Sequence, residues 1–479
     1  MASFKKKLLK KNESVGTETT EERIYSLNDY DETFVKIKKV LWILGLRLTR
    51  NDSDRVKLVH ILFFIYLYKR QQWIKPFCMK FWFQVFYWFE FANLLGAVIL
   101  EIIELIRTVT GGSFEDIIAS LGMIPCMGYL ISAILKSYKI CYYESMYENL
   151  INELRNMWPQ GKVTEDEHVI ISKALKQLNF VTTEISGFYW CNYALIIGCM
   201  LPCYTAIIQI AFGQDVPKIL AYLYWLPFDP LQPYVFEVLI IIQSWHTILS
   251  IMGIVSGDLL FFIFVSHITT QFDLMSLRIE KLIFVPTDQQ LINIYPLAIH
   301  NKHKRNDQVA STEMQNEEIR EDVHQKELLD IILRHRTLIR LCADVESLFS
   351  FSLLINFINS SVIICFLSFV IVVVEKWYEF MYKTAMVTIL SQTWLICWFG
   401  QKLLDSSKRL SQALYNCGWY TSSQKIKKNI QIMLFRTGKA VGVTTYGFTI
   451  ICLASYTTII KTSWSYFTLI YNSYKMNQK

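Results

Sequence analysis

The stretch GFYWCNYALIIGCMLPCYTAIIQIAF, residues 187–212, indicates what kind of fold this chain adopts. No charged residue lies between Glu184 and Asp215. The hydrocarbon core of a bilayer is about 30 Å thick, so roughly 20 apolar residues in a helix are enough to cross it. An uncharged run of this length therefore predicts a transmembrane helix.

Six further runs of about this length are bounded by charged residues. The seven predicted spans are residues 85–106, 117–135, 187–212, 238–265, 348–374, 380–400 and 441–471. The first is the weakest because it carries Glu90, Glu101 and Glu104. The apolar run 58–68 is too short to span, and together with residues 34–48 it is predicted to lie at the interface as an amphipathic or re-entrant segment.

The composition supports a membrane protein. Of the 479 residues, 53% are hydrophobic and only 19% are charged, against roughly 25% in soluble chains. Most of the eleven cysteines lie in apolar runs without zinc-type spacing, which indicates packing residues. The sequence has no glycine-rich phosphate loop, no nucleophile triad and no paired carboxylates, so we predict neither an enzyme nor a bound cofactor.

The distribution of positive charge predicts the orientation. Of the 48 lysine and arginine residues, 41 lie before the first run or in the loops after runs two, four and six. Positive loops stay in the cytosol, so we expect a cytosolic amino terminus and an extracellular carboxyl terminus. This order is the reverse of a G-protein-coupled receptor, and the Asp-Arg-Tyr and Asn-Pro-x-x-Tyr motifs of that class are absent. The net charge of +7 is spread between apolar blocks and does not indicate nucleic-acid binding.

The predicted fold is an all-α membrane protein with seven helices in this inverted topology. Its segments are a cytosolic or interfacial part (1–84), helices one to four with an outer lid loop at 213–237 (85–265), a long cytosolic loop (266–347), helices five and six (348–400), a cytosolic anchor (401–440) and a last helix with an outer tail (441–479). The aromatic and proline-rich lid is expected to be ordered. The polar tract 300–325 is expected to be disordered, and no cleaved signal peptide is expected.

The seventh run carries a stripe made mostly of hydroxyl side chains. Its members recur at helical spacing and are Thr445, Thr449, Cys452, Tyr456, Ile459, Ser463 and Tyr466. Taken alone, the stripe favours helix packing over pore lining. A pore lined here would have no acidic ring from Gly438 to Lys479 and would discriminate poorly among small cations.

Isolated polar residues give weaker indications. The tract 300–305, with two histidines, is interpreted as a solvated basic loop and not as a metal site. Asp258 and Glu90 are costly in lipid and must face protein or water, where structural pairing is expected. His246 is placed in the outer half of its helix, where it could line a cavity.

The order of motifs in the carboxyl-terminal third resembles insect odorant receptors. The matching positions are Leu414-Tyr415, Trp419, the basic tract 425–428, Phe435, Gly442, Thr444-Thr445 and the segment KTSWSYF at 461–467 with Leu469, preceded by Trp225-Leu226-Pro227-Phe228-Asp229 and Asp258-Leu259-Leu260-Phe261. The resemblance covers about residues 81–471 and is to the ligand-tuned members, not to their shared co-receptor. This chain is longer than those members, with its surplus in 1–24, 66–80 and 300–325.

The resemblance implies a poorly selective cation channel, assembled with the co-receptor as a heterotetramer in the plasma membrane of a sensory dendrite and opened by a small volatile molecule. The last helix would line the pore, which strengthens the pore interpretation of Thr445 and Thr449. Leu469 would fall at the gate, with Asn472 in the polar ring beside it and Ser473 one step further. A gustatory-type receptor channel and a membrane transporter are the alternatives.

The resemblance also implies a ligand cavity in the outer half of the bundle, among helices two, three, four and six. The residues predicted there are Met123, Cys126, Met200, Tyr204, Gln243, His246, Tyr382 and Met386. This set is apolar and polarisable with a few hydrogen-bonding tips. Lys383 is the only nearby base and is expected to reach the interface. The predicted ligands are therefore neutral esters, alcohols, aldehydes or terpenoids and not acids or amines.

Overall fold

The fold is built almost entirely of helices. The computed structural model describes residues 24–48, 76–111, 122–183, 186–283, 307–373 and 379–477, apart from 215, 217 and 219. The described helices are α1 Leu27–Ile43, α2 Pro76–Gly111, α3 Met123–Tyr142, α4 Glu144–Met157, α5 Glu165–Thr182, α6 Gly187–Ala211, α7 Val235–Leu282, α8 Asp307–Val373, α9 Glu379–Asn416, α10 Gln424–Thr437 and α11 Leu453–Asn477. Short strands β1 Ile24–Tyr25 and β2 Gly161–Lys162 pair antiparallel, and a 3-10 turn, Trp419–Thr421, follows α9.

The seven predicted runs correspond to α2, α3, α6, α7, α8, α9 and α11, which confirms the all-α class. By length and composition alone, three stretches hold a described helix that could cross a membrane: Glu165–Ala211, which contains α5 and α6, Val235–Leu282 and Glu321–Val373. The other four helices mix apolar residues with charged or hydroxyl side chains. Such helices can occupy a membrane only when their polar side chains face protein or water.

Helix α7 is the central helix of the bundle. It packs against α1, α3, α5, α6, α8 and α9. Phe261, Phe262 and Phe264 are almost completely buried, and the ring of Phe262 stacks on Phe399 of α9 with centroids 4.7 Å apart. A helix that is apolar on all sides is expected to be surrounded by others. Helix α7 therefore positions the helices that surround the candidate ligand cavity described below.

Asp258 and Glu90, the two carboxylates for which the sequence predicts structural pairing, both have partners. Lys136 Nζ lies 2.6 Å from Asp258 Oδ1, and Gln392 Nε2 donates to Asp258 Oδ2 at 2.6 Å, so α3, α7 and α9 meet at one carboxylate. Glu90 accepts a hydrogen bond of 2.9 Å from the Trp245 indole. These contacts offset part of the cost of removing charge from water.

Helix α1 contains residues 34–43 of the segment predicted to lie at the interface, and its apolar face is covered by protein. Its first turn is held by a capping box between Ser26 and Asp29. Tyr30 is fully buried and donates to the Ile151 carbonyl at 3.0 Å, and Thr33 Oγ1 lies 3.0 Å from His267 Nε2. The neighbouring run 58–68 lies outside the described residues.

Helices α7, α8 and α9 continue without a break through residues 265, 347 and 400. The segment boundaries predicted at these residues therefore mark where we propose that each helix leaves the membrane. They do not mark where the helices end. Helix α8 begins at Asp307, so the prediction of disorder for 300–325 is wrong from that residue onward. Residues 307–325 are rich in Glu and Gln, which propagate a helix at little cost once the buried part has formed. Residues 300–306 are not described.

The start of the predicted seventh helix is also wrong. Residues 441–452 form a reverse turn, here called the 441–452 hairpin, and helix α11 begins at Leu453. The Ile451 N–H donates to the Val443 carbonyl at 2.9 Å. Tyr446 and Gly447 have φ angles of 53° and 82°, the left-handed pair typical of tight hairpin turns. These angles are incompatible with a helix that starts at Val441.

The 441–452 hairpin packs between α8 and α9. A Cβ atom on Gly400 would lie 2.4 Å from the Ile451 carbonyl oxygen, so only glycine permits this approach. Val441 N–H donates to Ser407 Oγ at 2.8 Å, and Thr444 Oγ1 donates to Glu346. The hairpin therefore fixes where α11 starts.

Candidate ligand cavity and candidate pore helix

A small cavity of about 40 Å³ lies among α3, α6, α7, α8, α9 and the lid loop. Its lining is mostly apolar, with a few hydroxyl and thiol groups. The lining residues are Gly122, Pro125, Cys126, Tyr129, Leu130, Leu195, Cys199, Tyr222, Thr247, Ser250, Ile251, Leu367, Met381, Tyr382 and Ala385. A chamber with this lining suits a small apolar molecule that carries one polar group.

The structure brings two of the eight predicted ligand residues, Cys126 and Tyr382, to this cavity. The other six do not line it. Met123, Met200, Gln243 and His246 are buried, Met386 packs against the main core, and Tyr204 is 41% exposed with its hydroxyl 2.8 Å from Ser244 Oγ. The cavity nevertheless involves the four predicted helices, and α8 and the lid contribute to it as well.

Gln243 and His246 instead hold the lid against α7. Gln243 accepts from the N–H groups of Ala221 and Tyr222 at 3.0 and 3.3 Å and donates to the Tyr222 carbonyl at 2.8 Å. His246 Nδ1 lies 2.8 Å from the Tyr224 hydroxyl. The Tyr222 hydroxyl lies 2.8 Å from Thr247 Oγ1. These contacts hold the described residues of the predicted lid against α7.

Several lining residues were missed by the sequence analysis. Tyr129 lies one helical turn after Cys126, and Ser250 lies one turn after His246, so helical spacing from the predicted residues could have found both. Tyr222 could not have been found in this way. It reaches the cavity only because the lid folds back over α7, a contact between a loop and a helix that no periodicity encodes.

One face of α11 packs against the bundle. Ser455, Ile459, Ser463 and Phe467 are buried at four-residue intervals, facing α8 and α9. Ser463 Oγ donates to Ser361 Oγ at 3.3 Å. Of the helical members of the predicted hydroxyl stripe, Tyr456, Ile459 and Ser463 lie on or beside this packing face, whereas Tyr466 is 57% exposed. The packing interpretation, which the stripe alone favours, fits the first three.

Thr445 and Thr449 do not belong to this helix. Thr445 N–H donates to the Thr449 carbonyl at 2.8 Å, and the Thr445 hydroxyl donates to the same oxygen at 3.1 Å. Both residues stabilise the turn of the 441–452 hairpin. Their placement on a pore-lining helical face is therefore wrong.

The opposite face of α11 is uncovered by the described part of the chain. We call Thr458, Thr462, Ser465, Leu469 and Asn472 the open strip; its members recur at spacings of four and three and are all exposed. Leu469 is 65% exposed. Ser473 is exposed beside the strip. The predicted gate residues Leu469 and Asn472 therefore extend the hydroxyls of the open strip. They do not extend the hydroxyl stripe predicted from the sequence.

Charged contacts join the helix ends that the sequence predicts to be cytosolic. Arg278 pairs with Glu167 at 3.4 Å, and Arg409 pairs with Asp273 at 3.1 Å. Burial and the nearby positive charge of Lys173 lower the pKa of Lys402 to about 8. Among the described residues, no cluster of His, Cys, Asp and Glu could hold a metal ion.

This architecture, a helical bundle with a cavity under a lid and an uncovered last helix, is that of a seven-helix membrane protein. A family model described as 7tm Odorant receptor matches residues 114–464, and the chain belongs to that family. Drosophila melanogaster Odorant receptor 67c is 23% identical over 403 residues, covering 82% of this chain and 89% of its own length. Odorant receptor 85b of the same organism is 24% identical, covering 82% and 91%. These relatives are receptors and not enzymes.

The fold is similar to a solved structure of the insect olfactory receptor OR5 from Machilis hrabei in complex with eugenol. The TM-score is 0.68 with 15% sequence identity, and the match covers 93% of this chain and 100% of OR5. OR5 solved without that ligand gives a TM-score of 0.67. At this identity the likeness shows the shared fold.

Proposed function

We propose that this chain is the ligand-tuned subunit of an odorant-gated, poorly selective cation channel. It acts together with a co-receptor subunit, as a heterotetramer in the plasma membrane of a sensory dendrite. The proposal assigns odorant binding to the outer cavity and permeation to the open strip of α11. The anchor region, residues 401–440, is assigned to packing between subunits.

The observation that carries the proposal is the uncovered face of α11. Lys461 lies on this helix between Thr458 and Thr462 and is exposed. A cationic side chain within a membrane helix is costly when it faces lipid, so it needs water or another subunit beside it. Hydroxyls along the same side would line a wet path. A pore formed by several subunits would supply both the neighbouring subunit and the water.

The cavity supports a small neutral odorant. No cationic side chain lines it, so a carboxylate would enter without a counter-charge. Its volume of about 40 Å³ is smaller than the roughly 150 Å³ that holds benzene in an engineered protein cavity. Binding therefore requires movement of the lid or of lining side chains such as Met381. Eugenol, the ligand named for OR5, belongs in the first panel to be tested.

The test is an odorant panel applied to cells that express this chain alone, the co-receptor alone, or both. The proposal predicts odorant-evoked inward current with both subunits, a reversal potential near zero, and no such current with this chain alone. Odorant responses that do not depend on the co-receptor, or no response to any neutral odorant at normal surface expression, contradict it.

A further inference from the structure

A carboxyl group buried under the lid has no hydrogen-bond partner in the part of the chain that the structure describes. Glu101 of α2 is fully buried, and both of its side-chain oxygens are unpaired. The lid covers this turn of α2, because the Trp225 N–H donates to the Leu100 carbonyl at 3.2 Å. Ala97, one turn earlier on the same face, packs in one cluster with Tyr222 and Tyr224. An unpaired buried carboxyl is expensive and requires an explanation.

A second unpaired polar atom lies in the same region. His246 is 3% exposed; its Nδ1 contacts the Tyr224 hydroxyl, while its Nε2 has no partner among the described residues. When the tyrosine donates to Nδ1, Nε2 carries the ring hydrogen and can donate. Glu101 lies close enough to Tyr224 and Cys126 to interact electrostatically with both, and Cys126 lines the cavity. Both unpaired groups interact with Tyr224 beneath the lid, and neither lines the cavity itself, so they lie beside it.

We propose that Glu101 and His246 form the polar end of the ligand site and select molecules that carry a hydroxyl group. This inference rests on the proposed function, which places an odorant in the adjoining cavity. A hydroxyl can donate to a carboxyl oxygen of Glu101 and accept from His246 Nε2–H at the same time. An ether or ester oxygen can only accept, and a hydrocarbon does neither. The site therefore prefers alcohols and phenols among the neutral odorants.

The other acidic residues of the described part of α2 do not share this environment. Glu90 accepts from the Trp245 indole at 2.9 Å, and Glu104 lies 3.7 Å from Arg107. Glu104 is less than one helical turn from Glu101 and has a partly exposed side chain. It therefore provides a control on the same helix for a substitution of Glu101.

The experiment compares alcohols with their methyl ethers in cells that express both subunits. The probes are n-octanol, benzyl alcohol and geraniol, each paired with its methyl ether. Wild type should respond at lower concentrations to the alcohols. Glu101→Leu should raise their half-maximal concentrations by about tenfold while changing those of the ethers by less than about twofold, because only the hydroxyl contact is lost. Glu101→Gln, whose amide donates and accepts, should keep most of the preference. Glu104→Leu should behave as wild type.

Direct binding separates this inference from the channel proposal. The same pairs are tested for thermal stabilisation of the purified chain, and His246→Phe serves as a second variant that must also lose alcohol binding selectively. If alcohols stabilise the wild-type chain and Glu101→Leu abolishes this stabilisation, the inference is supported. It is supported even if no odorant evokes current, although the absence of current would contradict the channel proposal. Odorant-evoked current without a preference for alcohols, or equal losses for alcohols and ethers in both variants, overturns the inference and leaves the channel standing.

Discussion

Gly400 is the residue at which the helix bundle and the 441–452 hairpin come closest. Because a Cβ atom there would lie 2.4 Å from the Ile451 carbonyl oxygen, Gly400→Ala must displace the hairpin or α9. We expect a loss of about 1–3 kcal/mol in stability, the usual cost of overpacking a core. The measurement is the thermal unfolding midpoint of the purified chain together with its surface expression.

Gly96 provides the matched control. It lies within α2, and a Cβ atom there would have no heavy atom within 4 Å. Gly96→Ala is therefore expected to be neutral or slightly stabilising, because alanine is the better helix former. Equal destabilisation by the two substitutions would show that the contact between Gly400 and Ile451 does not fix the hairpin.

His335 of α8 predicts a pH dependence of stability. Burial, and secondarily the positive charge of Arg436, lower the pKa of His335 from 6.5 to about 4. As the pH falls below 6.5, His335 becomes protonated in the unfolded chain but stays neutral in the folded chain. The stabilising effect of the neutral imidazole is therefore complete above pH 6.5 and is lost progressively as the pH falls to about 4.

The expected loss from His335 is about 2 kcal/mol once partial solvent screening is allowed for. His335→Gln removes the titrating group. The difference between its unfolding midpoints at neutral and acidic pH should thus be smaller than that of wild type. Identical pH dependence in the two proteins would rule out His335 as a contributor.

At the scale of elements, hydrophobic runs located the helices well where charge or a cap marks their ends. The prediction 187–212 agrees with α6 to within one residue, and Ser186 caps its first turn by accepting from the Tyr189 N–H. The run 441–471 failed because apolar and hydroxyl residues continue through the 441–452 hairpin into α11. The left-handed turn at Tyr446-Gly447 interrupts the helix without interrupting the hydrophobicity.

The pore prediction belongs to α11. Leu469→Ala shortens the apolar side chain of the open strip, so a constriction formed there becomes easier to wet. We expect more ligand-independent current or an altered cation permeability at unchanged surface expression. Thr445→Ala and Thr449→Ala, which affect only the hairpin, should change gating less. Unchanged basal current and permeability in Leu469→Ala would leave α11 with a packing role alone.

At the scale of the whole molecule, the sequence located the candidate site by region and missed its details. Assigning an outer half to each helix, from the charge distribution and the helix direction, led to the part of the bundle where the cavity lies. It could not predict that Gln243 and His246 turn toward the lid, or that Glu101 remains buried without a partner. These features depend on how the lid folds over α2 and α7.

The orientation in the membrane is itself testable. With 41 of 48 basic residues assigned to one side, a tag at Met1 and a tag within residues 300–306 should be cytosolic, and a tag after Lys479 should be extracellular. Antibody labelling of intact and permeabilised cells distinguishes the two sides. Labelling of the amino-terminal tag on intact cells would contradict the inverted topology.

The central claim is that the outer cavity of this chain determines which odorants open the channel. The most direct measurement ranks a panel of neutral odorants by half-maximal concentration for wild type, Tyr382→Ala and Tyr204→Ala, each with the co-receptor. Tyr382 lines the cavity, whereas Tyr204 is an exposed tyrosine that does not. The claim predicts that Tyr382→Ala reorders the ranking at normal surface expression while Tyr204→Ala preserves it. If Tyr382→Ala leaves the order unchanged and scales every response equally, the ligand is bound elsewhere.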